Sequence, residues 1–180
     1  MADVIDKDGF RANVGIVLMQ EQGRVFVGRR LGGRGWQFPQ GGVLHGESAE
    51  QALFRELGEE IGLSRHDVEI VGQTRRWLHY RLPQRFMRDT TPRCVGQKQR
   101  WFLLRLQRPA AQFRFDLTAE PEFDRWRWVD YWQPIREVIY FKRAVYTRAL
   151  HELGEQAFPG GLPGYPEWWQ RRALERSQPV

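Results

Sequence analysis

Hydrophobic and polar residues near the start of the chain form two short runs separated by a turn. The runs span residues 12–19 (ANVGIVLM) and 24–29 (RVFVGR), and Gln22 and Gly23 lie between them. Apolar runs rich in β-branched and aromatic residues favour strands, and a glycine between two of them favours a hairpin. The pattern therefore predicts a β-hairpin at the start of the domain.

The next segment changes to the helical period. Leu53, Phe54, Leu57 and Ile61 fall within about 100° of one another on a helical wheel, which predicts one buried helix face. Ser48 followed by Gln51 is a capping-box start, and Gly62 is a typical helix end. A helix is predicted from Ser48 to about Ile61.

Further strands are predicted near residues 68–72, 74–80, 100–106 and 125–131. A second helix is predicted after Pro134, with apolar residues at Ile135, Val138, Ile139, Val145, Ala149 and Leu150. Strands before, between and after helices indicate an α+β fold with a mixed sheet.

Lys142 lies within the apolar stripe of this second helix. If residues 135–150 formed one unbroken helix, Lys142 would project at about 340° with Ile135 at zero, among the apolar positions. A buried lysine requires an anionic partner. We therefore expect either such a partner or a break in the helix near Tyr140 and Phe141.

The 180 residues suffice for one core of ordinary size, and we expect one domain over residues 1–157. Residues 158–180 begin with a proline- and glycine-rich stretch and end in a basic tail, for which partial disorder is expected. That tail, which carries Trp168, Trp169, Arg171 and Arg172, could instead dock on the domain or extend its binding site.

The chain has no run of 18 apolar residues, its N-terminus lacks the pattern of a secretory signal, and Cys94 is its single cysteine. We therefore expect a cytoplasmic protein that does not enter a membrane. No obligate protein partner is evident from the sequence.

The chain is basic overall but contains one strongly acidic segment. The net charge is +6, with 28 Lys and Arg against 22 Asp and Glu, so the surface favours an anionic, phosphate-bearing partner. Yet residues 41–63 (GGVLHGESAEQALFRELGEEIGL) contain five glutamates. Glu56, Glu59 and Glu60 share one helical stripe that borders the buried face.

Carboxylates crowded in this way repel each other, so a cation is expected beside them. One interpretation is a solvated acidic face on which Arg55 pairs with Glu59. The other is a site for a hard divalent metal, because carboxylate oxygens on successive helical turns suit Mg²⁺ or Mn²⁺.

The spacing favours the metal. Gly41, Glu47, Arg55, Glu56, Leu57, Glu59, Glu60, Gly62 and Leu63 match, position for position, the signature of the Nudix hydrolases. The resemblance implies an α/β/α sandwich with a mixed β-sheet between helices. It also implies that Glu56, Glu59 and Glu60 hold divalent ions, with Mg²⁺ first and Mn²⁺ as the other candidate, which activate a water against a phosphoanhydride bond.

Residues 8 to about 153 also resemble a narrower group. The segments DGFRANVGIVL, WQFPQGG, GQKQRWFLLRL, PEFDRWRWV and FKRAVY are similar to those of bacterial RNA 5′ pyrophosphohydrolases. Those enzymes convert 5′-triphosphate or diphosphate RNA ends to monophosphates, which promotes mRNA decay. Dinucleoside polyphosphate hydrolases of the Ap4A type share the pattern, so RNA 5′ ends and dinucleoside polyphosphates are the two candidate substrates.

The resemblance also implies roles for individual residues. Glu122 completes the metal site, so the catalytic and metal-binding set is Glu56, Glu59, Glu60 and Glu122, with Glu56 as the preferred general base. Gly41, Glu47, Arg55 and Gly62 belong to the motif, and Glu47 and Arg55 are expected to brace it. The implied substrate-binding residues are Arg11, Arg30, Tyr80, Gln97, Ile139, Phe141 and Lys142.

An RNA substrate also gives a purpose to residues 74–89, in which arginines alternate with Trp77, Tyr80 and Phe86. Aromatic faces set among cations suit an unpaired RNA end, whereas the alternative is an ordinary edge strand with one solvated face. Two further alternatives are a hydrolase of damaged nucleoside triphosphates, which the segments outside the motif disfavour, and a non-catalytic sensor, which the intact glutamates disfavour.

Overall fold

The computed structural model describes residues 4–33, 35–87, 89, 92–108 and 112–169. The strands are β1 (Phe10–Met19), β2 (Val25–Arg30), β3 (Trp36–Gln37), β4 (Gln40–Gly42), β5 (Val68–Gln73), β6 (Leu78–Arg81), β7 (Gly96–Leu106) and β8 (Phe123–Val129). The α-helices are α1 (Ala49–Ile61), α2 (Gln133–Glu137) and α3 (Arg143–Ala157). Single 3₁₀ turns lie at Arg65–Asp67, Gln84–Phe86 and Tyr140–Lys142.

The eight strands form one mixed sheet around β1 and β7. These two strands run parallel along their whole length, from Phe10 beside Gly96 to Met19 beside Arg105. β2 and β4 pair with β1, β3 and β8 pair with β2, and β5 and β6 pair with β7, all antiparallel. A central β1 buried on both faces explains its nearly continuous apolar sequence.

Helices cover both faces of the sheet, which confirms the predicted α/β/α sandwich. Val14, Ile16 and Leu18 of β1 pack with Leu53 and Leu57 of α1. Val17 and Met19 point to the opposite face, where they pack with residues of α3. Successive residues of a strand point to opposite faces, so the single apolar run of β1 supplies both cores.

The predicted hairpin and the caps of the first helix are confirmed. Met19 pairs with Val25 across the turn, and Gly23 adopts a φ of 80° there. Ser48 and Gln51 exchange the two hydrogen bonds of a capping box, and Gly62 ends α1 with a φ of 75°.

The strand predicted at residues 74–80 is wrong in its first half. Only residues from Leu78 onward form a strand, because the chain bends between β5 and β6. Thr74 is fully buried at this bend, where it exchanges hydrogen bonds with the backbone of Trp101. β5 and β6 thus pair with successive parts of the same edge of β7.

The second predicted helix is interrupted. α2 ends at Glu137, Val138 and Ile139 adopt extended backbone angles, and α3 begins at Arg143. This break includes Tyr140 and Phe141, near which the sequence predicted either a helix break or an anionic partner for Lys142. Its consequences for the site are described below.

Residues 158–169 follow α3 and pack against the body of the domain. Phe158, Leu162, Trp168 and Trp169 contact the core on the α3 face, and the Trp132 indole N–H donates to the Pro163 carbonyl at 2.8 Å. Arg171, Arg172 and the other residues of the tail after Trp169 lie outside the described residues, so partial disorder there stays a prediction. Within the part of the chain that the structure describes, no helix is long and apolar enough to cross a membrane.

Candidate active site

The acidic stripe of α1 lies over the loop that contains β4. Gly41 passes so close to Glu56 that a Cβ atom built on Gly41 would lie 1.8 Å from the Glu56 carboxyl carbon. The Gln40 backbone N–H donates to the Glu60 carboxylate at 2.9 Å. The motif glycine is therefore required because any side chain would occupy the space of a predicted metal ligand.

Arg55 forms the centre of a first ionic group, which we name the Arg55 network. Its guanidinium donates to both oxygens of Glu47 at 2.9 Å, to Glu56 at 2.7 Å and to Glu59 at 3.1 Å. It also donates to the Gly42 carbonyl at 2.6 Å. This geometry joins the loop to the helix, as expected for a bracing role of Arg55 and Glu47.

A second ionic group, which we name the Glu60–Lys142 network, lies beside the first. Arg30 and the Gln37 amide both donate to Glu122, at 2.9 Å and 3.1 Å. The Lys142 ammonium donates to the other end of the Gln37 amide at 3.4 Å. Glu60 interacts electrostatically with Glu56, Glu122 and Lys142, which connects the two networks.

Burial acts differently on these charges. It raises the pKa of Glu60 well above its ordinary value of 4.5, and repulsion from Glu56 and Glu122 adds to this effect. Burial also raises the pKa of Glu56, although its hydrogen bond from Arg55 opposes the shift. The same burial, with repulsion from Arg30, lowers the pKa of Lys142 to about 8.

The break between α2 and α3 determines where Lys142 points. Because residues 138–142 leave the α-helical path, the Lys142 side chain enters the site beside Gln37. Lys142 is 8% exposed, and its buried charge is compensated by Gln37, Glu60 and Glu122 and by the face of the Tyr80 ring, whose centroid lies 5.9 Å from the ammonium nitrogen. The structure thus combines both solutions that the sequence allowed.

A cavity of about 250 Å³ opens next to these charged groups. Its lining includes Arg30, Tyr80, Gln97, Ile139, Phe141 and Lys142, six of the seven predicted substrate-binding residues. The Tyr80 hydroxyl donates to Gln97 at 2.7 Å, and the Tyr80 and Phe141 rings lie 6.0 Å apart. The structure therefore brings these residues together, and their role in binding stays a prediction.

Arg11, the seventh predicted residue, lies at the boundary between the cavity and the acidic stripe. It is the neighbour of Gln97 across β1 and β7, and its charge acts on both Glu56 and Tyr80. A cation at this place favours the charged form of Glu56.

Larger cavities lie elsewhere in the described part of the chain. One of about 520 Å³ is lined by residues such as Glu21, Arg105 and Trp126, and one of about 410 Å³ lies beside Trp132 and Pro163. Neither is lined by a residue of the Glu60–Lys142 network, whereas the cavity of about 250 Å³ is lined by Arg30, Gln37 and Lys142. Chemical groups, rather than volume, therefore identify the site.

The donor set fits a hard divalent cation. Glu56, Glu59, Glu60 and Glu122 supply only oxygen ligands. Glu59 repels Glu56, and Glu56 and Glu122 repel Glu60, so a cation among them would relieve this repulsion. Among the described residues, no three Asp, Glu, His or Cys side chains lie close enough together to hold a metal ion in this arrangement. Arg55 and Arg30 hold three of these carboxylates instead, but a carboxylate has lone pairs for an arginine and a metal together.

Sequence reasoning missed Gln37, which links Glu122 to Lys142, and the backbone of Gln40, which holds Glu60. Trp36 and Leu82 in the cavity lining were also missed. The segment WQFPQGG, which carries three of these four residues, was the available signal.

The chain matches the NUDIX domain family over residues 9–153. An RNA pyrophosphohydrolase of Alkalilimnicola ehrlichii is 57% identical over 164 residues, which cover 91% of each chain. One of Salmonella paratyphi B is 51% identical over 175 residues, with 94% of this chain and 99% of the relative covered. Among solved structures, the E. coli dihydroneopterin triphosphate pyrophosphohydrolase superimposes with a TM-score of 0.62 at 20% identity, covering 76% of this chain and 92% of that chain, which shows the shared fold.

Proposed function

The chain belongs to the NUDIX family, and on this premise we propose that it is an RNA pyrophosphohydrolase. It converts the triphosphate or diphosphate at an RNA 5′ end to a monophosphate and thereby promotes mRNA decay. In this hydrolysis the oxygen of a water forms a bond to phosphorus, and the phosphoanhydride P–O bond breaks. Relatives that carry this name are 51–57% identical to the chain, and the alignments cover most of their length.

One observation carries the proposal. The cavity with Tyr80 and Phe141 adjoins the carboxylates through Arg30 and Lys142, which line the cavity and also belong to the Glu60–Lys142 network. A nucleotide with its base in the cavity therefore directs its 5′ phosphates past two cations toward the carboxylates. This is the order of groups in a 5′-phosphorylated RNA end.

NUDIX hydrolases generally need a divalent metal, and Mg²⁺ is our proposed ion, with Mn²⁺ as the other candidate. Glu56, Glu59, Glu60 and Glu122 would hold it. When bound, such an ion supplies positive charge against the phosphate charge and acidifies water.

The remaining tasks fall to other side chains. Arg30 and Lys142 stabilise the negative charge that develops on the terminal phosphates, since both reach the site as buried or half-buried cations. Glu56 accepts the proton of the attacking water, because it lies between Glu59 and Glu60 on the acidic stripe of α1. Arg55 keeps Glu56 in position through the 2.7 Å hydrogen bond.

A competition assay tests the proposed substrate. A short RNA with a 5′ triphosphate and diadenosine tetraphosphate are supplied together with Mg²⁺, and kcat/KM is measured for each at equal enzyme concentration. We expect the RNA to be converted to the monophosphate with the higher kcat/KM, and chelation by EDTA to stop both reactions. A preference for the dinucleotide would overturn the RNA assignment and reassign the cavity to an adenosine.

A further inference from the structure

Two aromatic rings lie exposed at the mouth of the substrate cavity. Phe86 is 40% exposed and Tyr140 is 49% exposed, although both side chains are large and apolar enough to be buried elsewhere. They come from different parts of the chain, the 3₁₀ turns at Gln84–Phe86 and at Tyr140–Lys142. Their meeting point is therefore a product of the fold.

Arg85 joins the two rings into one surface. Its guanidinium carbon lies 5.1 Å from the Phe86 ring centroid and 5.6 Å from the Tyr140 ring centroid. It also donates to the Tyr140 hydroxyl at 3.2 Å. These contacts hold the exposed rings in place, and we name the surface of Arg85, Phe86 and Tyr140 the aromatic shelf.

The aromatic shelf continues the wall of the cavity. The Phe141 ring, which lines the cavity, lies 4.9 Å from the Phe86 ring and 5.4 Å from the Tyr140 ring. Phe141 in turn faces Tyr80 at 6.0 Å. Aromatic contacts therefore lead without interruption from the inside of the cavity to the surface.

The positive charge of the aromatic shelf comes from Arg85. Within the part of the chain that the structure describes, no carboxylate lies at ion-pair distance from Arg85. Its described contacts are with two rings and a hydroxyl, none of which carries a negative charge. A cation beside exposed rings suits a phosphodiester beside a stacked base.

The break between α2 and α3 explains why the shelf adjoins the reactive groups. A 3₁₀ turn has three residues per turn, so Tyr140 and Lys142 point in different directions. Lys142 is 8% exposed and enters the site, whereas Tyr140 faces solvent. One departure from the α-helical path thus supplies both a buried cation and an exposed ring.

We propose that the aromatic shelf stacks a base of single-stranded RNA that follows the nucleotide held in the cavity, while Arg85 contacts the backbone. This inference rests on the proposed function. RNA continues from the 3′ oxygen of the bound nucleotide, away from its 5′ phosphates. The second nucleoside of a dinucleoside polyphosphate lies beyond the phosphates instead, so the shelf serves RNA and not the dinucleotide.

The test compares two RNA substrates that begin with the same 5′-triphosphate nucleotide, one ending after that nucleotide and one extended to an octanucleotide. For the wild-type enzyme, we expect kcat/KM to be higher for the octanucleotide. Tyr140→Ser should lower the octanucleotide-to-mononucleotide ratio of kcat/KM about five- to tenfold, mainly through KM, because one stacking surface is lost. Tyr140→Phe retains the ring and should restore most of the ratio.

Tyr165→Ser is the matched control, since Tyr165 is 41% exposed and packs on Trp132 and Trp169 away from the cavity. It should keep the wild-type ratio. Equal kcat/KM for the two RNAs in the wild type, or an equal loss for both in Tyr140→Ser, would overturn the shelf and leave the proposed function intact. Failure of the wild type to convert either RNA would overturn the proposed function itself.

Discussion

The Arg55 network and the Glu60–Lys142 network lie side by side and draw on the same kinds of side chain, but they differ in how well their charges are matched. Arg55 donates five hydrogen bonds, and its proximity lowers the pKa of Glu47. In the second network, burial raises the pKa of Glu60 and lowers that of Lys142, so it disfavours the charged form of each.

This difference suits the Arg55 network to holding the site in shape and the Glu60–Lys142 network to binding ligands. A charge with complete partners stabilises one geometry and gains little from a ligand. A buried charge with incomplete partners gains from any ligand that completes it, such as a metal beside Glu60 or a phosphate beside Lys142. Glu56 belongs to both groups, since Arg55 holds it and Glu60 repels it.

Replacement of Glu56, the residue shared by both networks, should have the largest effect on activity. Glu56→Gln removes a metal ligand and the preferred base, so kcat should fall about 10²- to 10⁴-fold in a steady-state assay with RNA and Mg²⁺. Glu50→Gln is the matched control, because Glu50 lies on the same helix with half of its side chain exposed. Unchanged turnover in Glu56→Gln would refute its assignment as metal ligand and base.

Removal of Arg55 should chiefly affect stability. Arg55→Ala leaves Glu47 and Glu56 without their main cation, which should cost about 3 kcal/mol in the free energy of unfolding measured with urea. Arg65→Ala removes an exposed pair with Glu50 and should cost less than about 1 kcal/mol. Similar losses in both variants would show that the Arg55 network does not brace the site.

Lys142 should give the second network a pH dependence. Its pKa is lowered to about 8, so the cation is lost as pH rises through that value. Lys142→Arg keeps its charge at every accessible pH. We therefore expect the ratio of kcat/KM of the wild type to that of Lys142→Arg to fall by up to about tenfold per pH unit above 8.

The ratio cancels the pH dependence of all groups common to both proteins. A constant ratio between pH 7 and pH 9 would show that the Lys142 charge does not act on the substrate. Lys7→Arg provides a control for the exchange itself, since Lys7 is exposed and outside the site.

The smallest effect is expected from Glu60→Gln, measured by urea unfolding in EDTA. Because the folded protein raises the pKa of Glu60 above 4.5, the wild type loses stability relative to the variant as pH rises from 4.5. Glu60→Gln should therefore be more stable than the wild type at pH 7 and equal to it below pH 4.5.

Addition of Mg²⁺ should reverse this order. A ligand that binds only the folded state stabilises it by mass action, and the wild type has the more complete metal site. A wild type that is already the more stable protein in EDTA at pH 7 would contradict the unfavourable charge of Glu60.

Local features of the fold could be read from the sequence because they depend on neighbours along the chain. The hairpin turn at Gly23 and the caps of α1 at Ser48 and Gly62 each involve residues a few positions apart. The stripe of Glu56, Glu59 and Glu60 follows from the helical period alone. The same local rules failed at Thr74, where a long-range contact with Trp101 bends the chain.

The sequence by itself thus determined the NUDIX motif, the acidic stripe and the unfavourable position of Lys142 in an apolar pattern. Only the tertiary structure decided how these features are used. Arg30 and Glu122 lie 92 positions apart in the chain, and Gln37 and Lys142 lie 105 positions apart, yet both pairs form one network. No periodicity specifies such contacts, because they arise from the pairing of β2 with β8 and from the packing of the broken helix against the sheet.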